Sequence, residues 1–144
     1  GDQPDGKVLV LGSNGYTNTS MGGGTKLFRL QEHGLAGVLT DGRLRDFEEL
    51  AGYDFAAYCS GEATHWGGDV VTPFQANVPV VVCGVGVMPG QYVYADAAGA
   101  VVIPEGEVDN VLAESRKIAA EDEASRARIA GEVTSGPSTG ASER

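Results

Sequence analysis

Residues 7–40 read KVLVLGSNGYTNTSMGGGTKLFRLQEHGLAGVLT, and this stretch decides the fold. Lys7 to Leu11 form an apolar run typical of a strand that is buried on both faces. A polar, glycine-rich loop follows, and apolar residues then recur at helical spacing until Gly34, which suits the position after a helix end. Gly37 to Thr40 form a second short apolar run. The pattern therefore predicts a β-α-β unit with a right-handed parallel crossover.

The rest of the chain is predicted to contain more strands than helices. A short acidic helix is expected over Asp46 to Ala51, and a third strand over Asp54 to Tyr58. The stretch from Ser60 to Gln75 is loop-like, with one short strand at Val70 to Thr72. Three further strands, separated by turns, predict an antiparallel second half. These strands are PVVVCGV from Pro79, QYVYA from Gln91 and AVVIP from Ala100.

A long charged helix is predicted from Glu105 to Val133. Its narrow apolar stripe suits packing on its own sheet or on a neighbouring subunit. The composition of residues 134–144, TSGPSTGASER, predicts a disordered tail. We therefore expect one α/β domain over residues 1–133, with a β-α-β start, an antiparallel second half and a long C-terminal helix.

Composition and charge narrow the classes of partner. A chain of 144 residues that is 42% hydrophobic can bury one core. The net charge of −10 argues against binding to nucleic acid or an anionic membrane, because phosphates would be repelled. No apolar run reaches the roughly 18 residues of a membrane-spanning helix, and no signal sequence opens the chain. Cys59 and Cys83 have neither metal-like nor redox-like spacing, so we expect a cytoplasmic protein with two small buried thiols.

The loop from Gly12 to Gly24 is the first candidate site. It opens a helix, and a helix N-terminus gathers free N–H groups and positive dipole charge that bind phosphate or carboxylate. Three consecutive glycines let a ligand approach the backbone closely. The alternative, an ordinary flexible loop, stays open. A P-loop is excluded because Lys26 is displaced from its motif position, and no G-x-G-x-x-G opens a helix.

Arg45 and Asp46 are the second candidate site, within the spacing G-x20-R-D-x2-E that runs from Gly24 to Glu49. Their turn follows a predicted parallel strand, at the sheet edge where open α/β sheets bind ligands. Arginine offers a planar fork for a carboxylate, and aspartate offers a hard oxygen for Mg²⁺ or Mn²⁺. The alternative is a solvated, charged helix start.

With these residues assembled, the chain resembles the RraA-like family. The family includes the class II 4-hydroxy-4-methyl-2-oxoglutarate/4-carboxy-4-hydroxy-2-oxoadipate aldolases and the regulator of ribonuclease E activity. The resemblance also includes the charged C-terminal helix. The matching stretches are GKVLVLG from Gly6, HGLAGVLTDGRLRD from His33 to Asp46, and NVPVVVCGVGVMPGQYVYADAAGAVVIP from Asn77 to Pro104.

The resemblance implies an α/β/β sandwich of the swivelling-domain type, assembled as a homotrimer or hexamer with active sites between subunits. It implies that Arg45 and Asp46 are catalytic: Arg45 binds the oxygens of a small 2-oxo acid, and Asp46 anchors Mg²⁺ or Mn²⁺, largely through water. Backbone N–H groups would bind the pyruvyl carboxylate. Those groups belong to Gly22, Gly23, Gly24 and Thr25.

That chemistry explains the residue types. Breaking the bond beta to a keto group leaves an electron pair that a pyruvate enolate holds, and a divalent cation with arginine stabilises the developing charge. The reactions implied are oxaloacetate decarboxylation and 4-hydroxy-4-methyl-2-oxoglutarate aldol cleavage. The alternative function is a non-catalytic, protein-binding module like the ribonuclease regulator.

The chain departs from the aldolase pattern at three places, of which one is Gln91, where an acidic residue after Pro-Gly is common. Position 24, where the aldolases carry an acidic residue 21 positions before the arginine, is glycine. Because the resemblance implies that this acid helps to handle the proton of the substrate hydroxyl, we expect decarboxylation to survive better than aldol cleavage. The N-terminal segment that the family usually carries is also expected to be absent.

Overall fold

The protein is described by a computed structural model that covers residues 5–16 and 18–134. Its contacts divide the chain into two units, Gly1–Val102 and Ile103–Arg144. The first unit contains the predicted β-α-β start and most of the antiparallel strands. Each unit is described by itself.

A three-stranded parallel sheet forms the centre of the first unit. Its strands are β1 (Val8–Leu11), β2 (Gly37–Thr40) and β3 (Ala56–Tyr58), in the order β1-β2-β3. Val8 lies opposite Gly37, and Gly37 lies opposite Ala56. The parallel β-α-β start is confirmed. The expectation that β1 is buried on both faces is wrong, because all four of its residues are partly exposed.

Helix α1 (Gly24–Glu32) connects β1 to β2 and ends where the sequence predicts. Gly34 has a φ of 84°, and its N–H donates to the carbonyl of Gln31 at 2.8 Å. The next N–H, of Leu35, donates to the carbonyl of Leu30 at 3.1 Å. These two bonds satisfy the last carbonyls of the helix in the Schellman arrangement, which needs a residue that tolerates positive φ.

The hydrophobic core lies between the parallel sheet and its helices. Leu27 of α1 and Leu50 of the short helix α2 (Phe47–Leu50) are buried together with residues from β2 and the loops. Their packing places the N-terminus of α1 close to the residues before α2. The buried core residues are Leu27, Val38, Leu44, Leu50 and Phe55.

Two hairpins follow the parallel sheet. The apolar run from Pro79 was expected to be one strand, but it forms β4 (Val80–Val82) and β5 (Val85–Val87), paired antiparallel. The reason is the backbone of Cys83 and Gly84, with φ values of 50° and 79°. Positive φ at both central residues is the signature of the type I′ turn that closes a two-residue hairpin.

Strands β6 (Tyr92–Asp96) and β7 (Gly99–Ile103) form the second hairpin, as predicted. Residues of β6 face the parallel sheet across a cavity of about 300 Å³, whose lining includes Val8, Ala56 and Val93. The first unit is therefore layered, with helices, a parallel sheet and then hairpins.

Two smaller expectations were wrong. No strand forms at Val70 to Thr72, because the N–H groups of Val70 and Val71 both donate to the carbonyl of Gly67 and close a turn. Cys83, expected to be buried, is exposed in the β4–β5 turn, while Cys59 is half-buried.

The described part of the second unit is mainly one helix, as predicted. A 3-10 turn at Glu105–Glu107 leads into α3 (Val108–Thr134). The predicted tail at 134–144 lies outside the described residues, except for the end of α3. None of the helices in residues 5–16 and 18–134 is long and apolar enough to cross a membrane.

Candidate functional site

Three extended segments, 20–22, 43–45 and 61–63, lie side by side at the edge of the sheet. The N–H of Met21 donates to the carbonyl of Arg43 at 2.8 Å, and on the other side the N–H of Leu44 donates to the carbonyl of Gly61 at 3.1 Å. The side chain of Leu44 is completely buried. Hydrogen bonds to both neighbouring segments and the buried Leu44 side chain therefore hold the backbone that leads to the candidate residues.

Asp46 has an unusual backbone conformation for a residue with a side chain. Its φ of 67° and ψ of 45° lie in the left-handed region, which Asp tolerates better than most residues. Such a conformation costs about 1–3 kcal/mol and persists where neighbouring contacts enforce it. Here the carboxylate oxygen Oδ2 accepts a hydrogen bond of 2.9 Å from the N–H of Gly24, the first residue of α1. The Asp46 carboxylate thus satisfies a free donor at the positive end of a helix.

Arg45 lies against the same carboxylate. Its Nε donates to Oδ1 and Oδ2 of Asp46 at 3.2 and 3.3 Å. Each of the two side chains is about one-third exposed, so both remain accessible to a ligand. The pair is therefore oriented without being removed from solvent.

The predicted glycine loop meets this pair closely. A Cβ at Gly23 would lie 2.5 Å from Oδ2 of Asp46 and 2.9 Å from Nη2 of Arg45, so a side chain at this position would displace the pair. Gly22 has a packing role, since a Cβ there would touch Leu27 and Leu44 and its carbonyl accepts the Arg45 N–H at 3.0 Å. The four loop residues thus differ in position: Gly22, Gly23 and Gly24 are buried and Thr25 is exposed.

The space beside Gly24 is filled by a residue to which the sequence reasoning gave no role. A Cβ at Gly24 would collide with Oε2 of Glu49, and it would lie 3.3 Å from the hydroxyl of Tyr53. Glu49 therefore brings a carboxylate to the place where the aldolase pattern has an acidic side chain. The sequence spacing could have indicated this role, because Glu49 is the final residue of G-x20-R-D-x2-E.

Tyr53 contacts this carboxylate. Its hydroxyl donates to Oε2 of Glu49 at 3.3 Å, and its ring packs on Phe28 of α1 with centroids 5.5 Å apart. The pKa of the Tyr53 hydroxyl is raised, first because neighbouring atoms displace water from it, and then because the Glu49 charge and hydrogen bond and the Asp46 charge disfavour a phenolate. Tyr53 is therefore a protonated donor at neutral pH.

The carboxylates suit a magnesium-type cation. Among residues 5–16 and 18–134, no group of three or more His, Cys, Asp and Glu side chains is close enough to hold a metal ion by protein ligands alone. Mg²⁺, however, usually keeps several waters and uses only one or two carboxylates. Asp46 and Glu49 both lie at the first turn of α1 and supply hard oxygens. The donor set fits Mg²⁺ or Mn²⁺ bound largely through water.

A second cavity lacks the charged groups that an anionic acid would need. It encloses about 510 Å³ and is lined by aliphatic side chains with Tyr58, the hydroxyls of Thr40 and Ser60, and the two thiols. A small dianionic acid requires cationic or N–H partners. The Arg45–Asp46 turn is therefore the better candidate site.

The fold and the site together describe an α/β protein in which an arginine–aspartate turn meets the N-terminus of a helix at the edge of a parallel sheet. The family model described as "RraA-like: Aldolase/RraA" matches residues 1–102. The chain belongs to the RraA-like family.

Relatives support both the fold and the aldolase branch. A Halalkalibacterium halodurans protein named "Putative 4-hydroxy-4-methyl-2-oxoglutarate aldolase" is 32% identical over 128 residues, which are 89% of this chain and 60% of that protein. A Thermus thermophilus 4-hydroxy-4-methyl-2-oxoglutarate aldolase is 34% identical over 105 residues, 69% of this chain and 60% of that protein. The chain thus spans about three-fifths of the length of these relatives.

A solved structure confirms the predicted fold class. Streptomyces coelicolor RraAS2, described as an unusual member of the RNase ES inhibitor RraA protein family, superposes with a TM-score of 0.79. It is 30% identical, and the match covers 86% of this chain and 63% of that one. The RraA-like α/β fold is therefore shown.

Proposed function

We propose that this chain forms part of a divalent-metal-dependent carbon–carbon lyase that acts on small 2-oxo acids through a pyruvate enolate. One observation carries the proposal: a single turn joins the Arg45 guanidinium, the Asp46 carboxylate and the N-terminus of α1 through bonds of 2.9–3.3 Å. Glu49 adds a second carboxylate at the same place. The names of the aldolase relatives support the lyase class.

Each residue has a role in this proposal. The guanidinium of Arg45 binds the carboxylate and keto oxygens of the substrate and stabilises negative charge as it develops on them. Asp46 and Glu49 would hold Mg²⁺ or Mn²⁺, which when bound supplies Lewis-acid stabilisation of an enolate oxygen. The glycine loop and the start of α1, from Gly22 to Thr25, present positive dipole charge to the carboxylate of the acid.

The geometry changes what we expect of the two reactions. Aldol cleavage was expected to be the weaker one, since position 24 lacks an acid. Glu49 fills the space at position 24, so a carboxylate is available there. We therefore propose that the site supports oxaloacetate decarboxylation and 4-hydroxy-4-methyl-2-oxoglutarate cleavage alike. Aldol turnover far below decarboxylation would show that Glu49 does not replace the missing acid.

The test is pyruvate release from each substrate, with Mg²⁺ and with a chelator, in the wild type and two variants. Arg45→Ala removes the guanidinium, and Asp46→Asn removes a charge while keeping a residue that tolerates positive φ. Each substitution should lower the rate by about 10²–10³-fold, the usual effect of losing one transition-state contact. Metal without protein supplies the background for oxaloacetate.

Arg43→Ala is the matched control. Arg43 is two residues from Arg45, and its Nη1 donates to the carbonyl of Glu62 at 3.0 Å, away from the Asp46 carboxylate. The Arg43→Ala variant should release pyruvate at a rate near that of the wild type. Equal losses in the Arg43 and Arg45 variants would contradict the assigned role of Arg45.

A second candidate function is a non-catalytic protein-binding module. It is favoured by the similarity to RraAS2, whose description places it in a ribonuclease inhibitor family. A folded, metal-replete protein that is inert toward both substrates, and whose Asp46→Asn variant behaves like the wild type, would favour this function.

A further inference from the structure

Two residues of α1 face two residues of the segment that begins in α2 and continues into the following turn. Gly24 and Phe28 are four residues apart on α1, and Glu49 and Tyr53 are four residues apart on the opposing segment. The Glu49 carboxylate takes the space beside Gly24, while the rings of Phe28 and Tyr53 pack at 5.5 Å with a tilt of 54°. The absent side chain at position 24 thus admits a carboxylate, and the aromatic contact lies one helical turn further on.

The hydrogen bond from Tyr53 restricts the rotamers of the Glu49 side chain. Glu49 is exposed, and an exposed glutamate samples many rotamers whose loss costs free energy when a ligand binds. Tyr53 is itself positioned by its ring contact and by its N–H, which donates to the carbonyl of Leu50 at 3.1 Å. A hydrogen bond from this ordered ring selects the Glu49 rotamer that lies over Gly24.

The same hydrogen bond offsets charge repulsion. Asp46 and Glu49 both place carboxylates at the first turn of α1, and like charges near each other destabilise one another. Asp46 receives donors from Gly24 and Arg45. Glu49 receives one from Tyr53, through Oε2 alone, which leaves Oε1 free of this contact.

We propose that Tyr53 is a positioning residue that holds the Glu49 carboxylate beside Asp46, so that the two carboxylates form a divalent-cation site before the cation arrives. This inference rests on the proposed function, because it assigns Glu49 to the same cation site. Tyr53 acts through Glu49 and does not touch the substrate.

The experiment compares Tyr53→Phe with Tyr94→Phe. Tyr94 makes the same kind of bond, from its hydroxyl to Oδ2 of Asp96 at 3.3 Å, on strand β6. Both substitutions remove one hydroxyl and keep the ring. Binding of Mn²⁺ to metal-free protein is measured by electron paramagnetic resonance, and tyrosine absorbance is followed during the titration.

Tyr53→Phe should weaken Mn²⁺ binding by about tenfold, as loss of a partner that orients a metal ligand commonly does. If Mn²⁺ binds at Glu49, it should change the surroundings of the Tyr53 hydroxyl and hence the tyrosine absorbance of the wild type, and Tyr53→Phe should remove that change. Tyr94→Phe should leave both measurements unchanged. Equal Mn²⁺ affinities in the two variants, or a wild type that binds no Mn²⁺, would overturn the inference.

A double-mutant cycle with Glu49→Gln separates positioning from general destabilisation. If Tyr53 acts through the Glu49 charge, Tyr53→Phe should have little further effect once Glu49→Gln is present. An undiminished effect would overturn the inference. The outcomes are separable from those of the proposed function: Mn²⁺ binding that depends on Tyr53 in a protein without lyase activity would contradict the function alone, whereas lyase activity with Tyr53-independent binding would contradict only the role of Tyr53.

Discussion

At the scale of single residues, the site depends on one backbone angle and one missing side chain. The left-handed conformation of Asp46 turns its carboxylate toward α1, where it meets the N–H of Gly24. The missing side chain at Gly24 leaves room for Glu49. The site does not depend on a buried ion pair, because Arg45 and Asp46 are each about one-third exposed.

Gly24→Ala tests whether that room matters. The new methyl group would take the position of Oε2 of Glu49, whose flexible end can rotate away, so the fold should survive. Alanine in a helix is favoured over glycine by up to about 1 kcal/mol, so stability should be equal or slightly higher. Mn²⁺ affinity should nevertheless fall by about tenfold, because Glu49 is displaced.

Urea unfolding and Mn²⁺ titration measure both effects of Gly24→Ala. The control is Gly52→Ala, where the nearest contact of the new Cβ would be the backbone carbonyl of Glu49 at an ordinary 3.4 Å. Matching Mn²⁺ affinities in the two variants would show that Glu49 does not need the space beside Gly24.

Part of this site could be predicted from the sequence. Arg45 and Asp46 follow a parallel strand, and the glycine loop precedes a helix, so their meeting at one sheet edge follows from the β-α-β topology. The Glu49–Tyr53 pair could not be predicted, because its place depends on how α1 packs against the turn after α2. The packing depends on the ring contact between Phe28 and Tyr53, which are far apart in the sequence.

At the scale of elements, sequence patterns predicted the ends of strands and helices well where a residue enforces the end. Gly34 ends α1 through two defined hydrogen bonds. The β4–β5 hairpin was missed because its turn residue Cys83 is apolar and extends the run of valines on either side. Because cysteine is a poor choice for positive φ, Gly84 alone marked the break.

Replacing Cys83 should therefore stabilise the hairpin. Asparagine favours the left-handed region that Cys83 occupies at φ 50°, so Cys83→Asn should raise the free energy of unfolding by up to about 1 kcal/mol. Gly84→Ala, at φ 79°, should lower it by about 1–2 kcal/mol.

Urea unfolding under reducing conditions measures these changes. Gly86→Ala is the control in the same hairpin, since nothing lies within 4 Å of the Cβ that would be added there. Loss of stability in Cys83→Asn would contradict the assignment of a type I′ turn.

At the scale of the whole molecule, the antiparallel hairpins expose a set of large apolar side chains. Each member is more than half exposed, which is unusual for valine and tyrosine on neighbouring strands. The expectation of a homotrimer or hexamer remains a proposal, and these side chains offer a surface for it. They include Val81, Val85, Tyr92 and Val101.

Light scattering tests the assembly directly. The proposal expects a mass three or six times that of the 14.8 kDa chain, and Val81→Lys should lower it, because a buried unpaired charge is costly. Ala76→Lys adds the same charge at another exposed position and should leave the mass unchanged. A single-chain mass for the unsubstituted protein at micromolar concentration would contradict the assembly.

The burial of Leu44 links the core of the molecule to the candidate site. Its side chain is completely buried, its backbone joins the segments on either side, and the next residue along the chain is Arg45. A single peptide bond thus links a completely buried residue to the residue whose guanidinium would meet the substrate. A substitution that disturbs the packing at position 44 should therefore also displace the Arg45 backbone, so tolerance to mutation at Leu44 and the orientation of Arg45 are coupled.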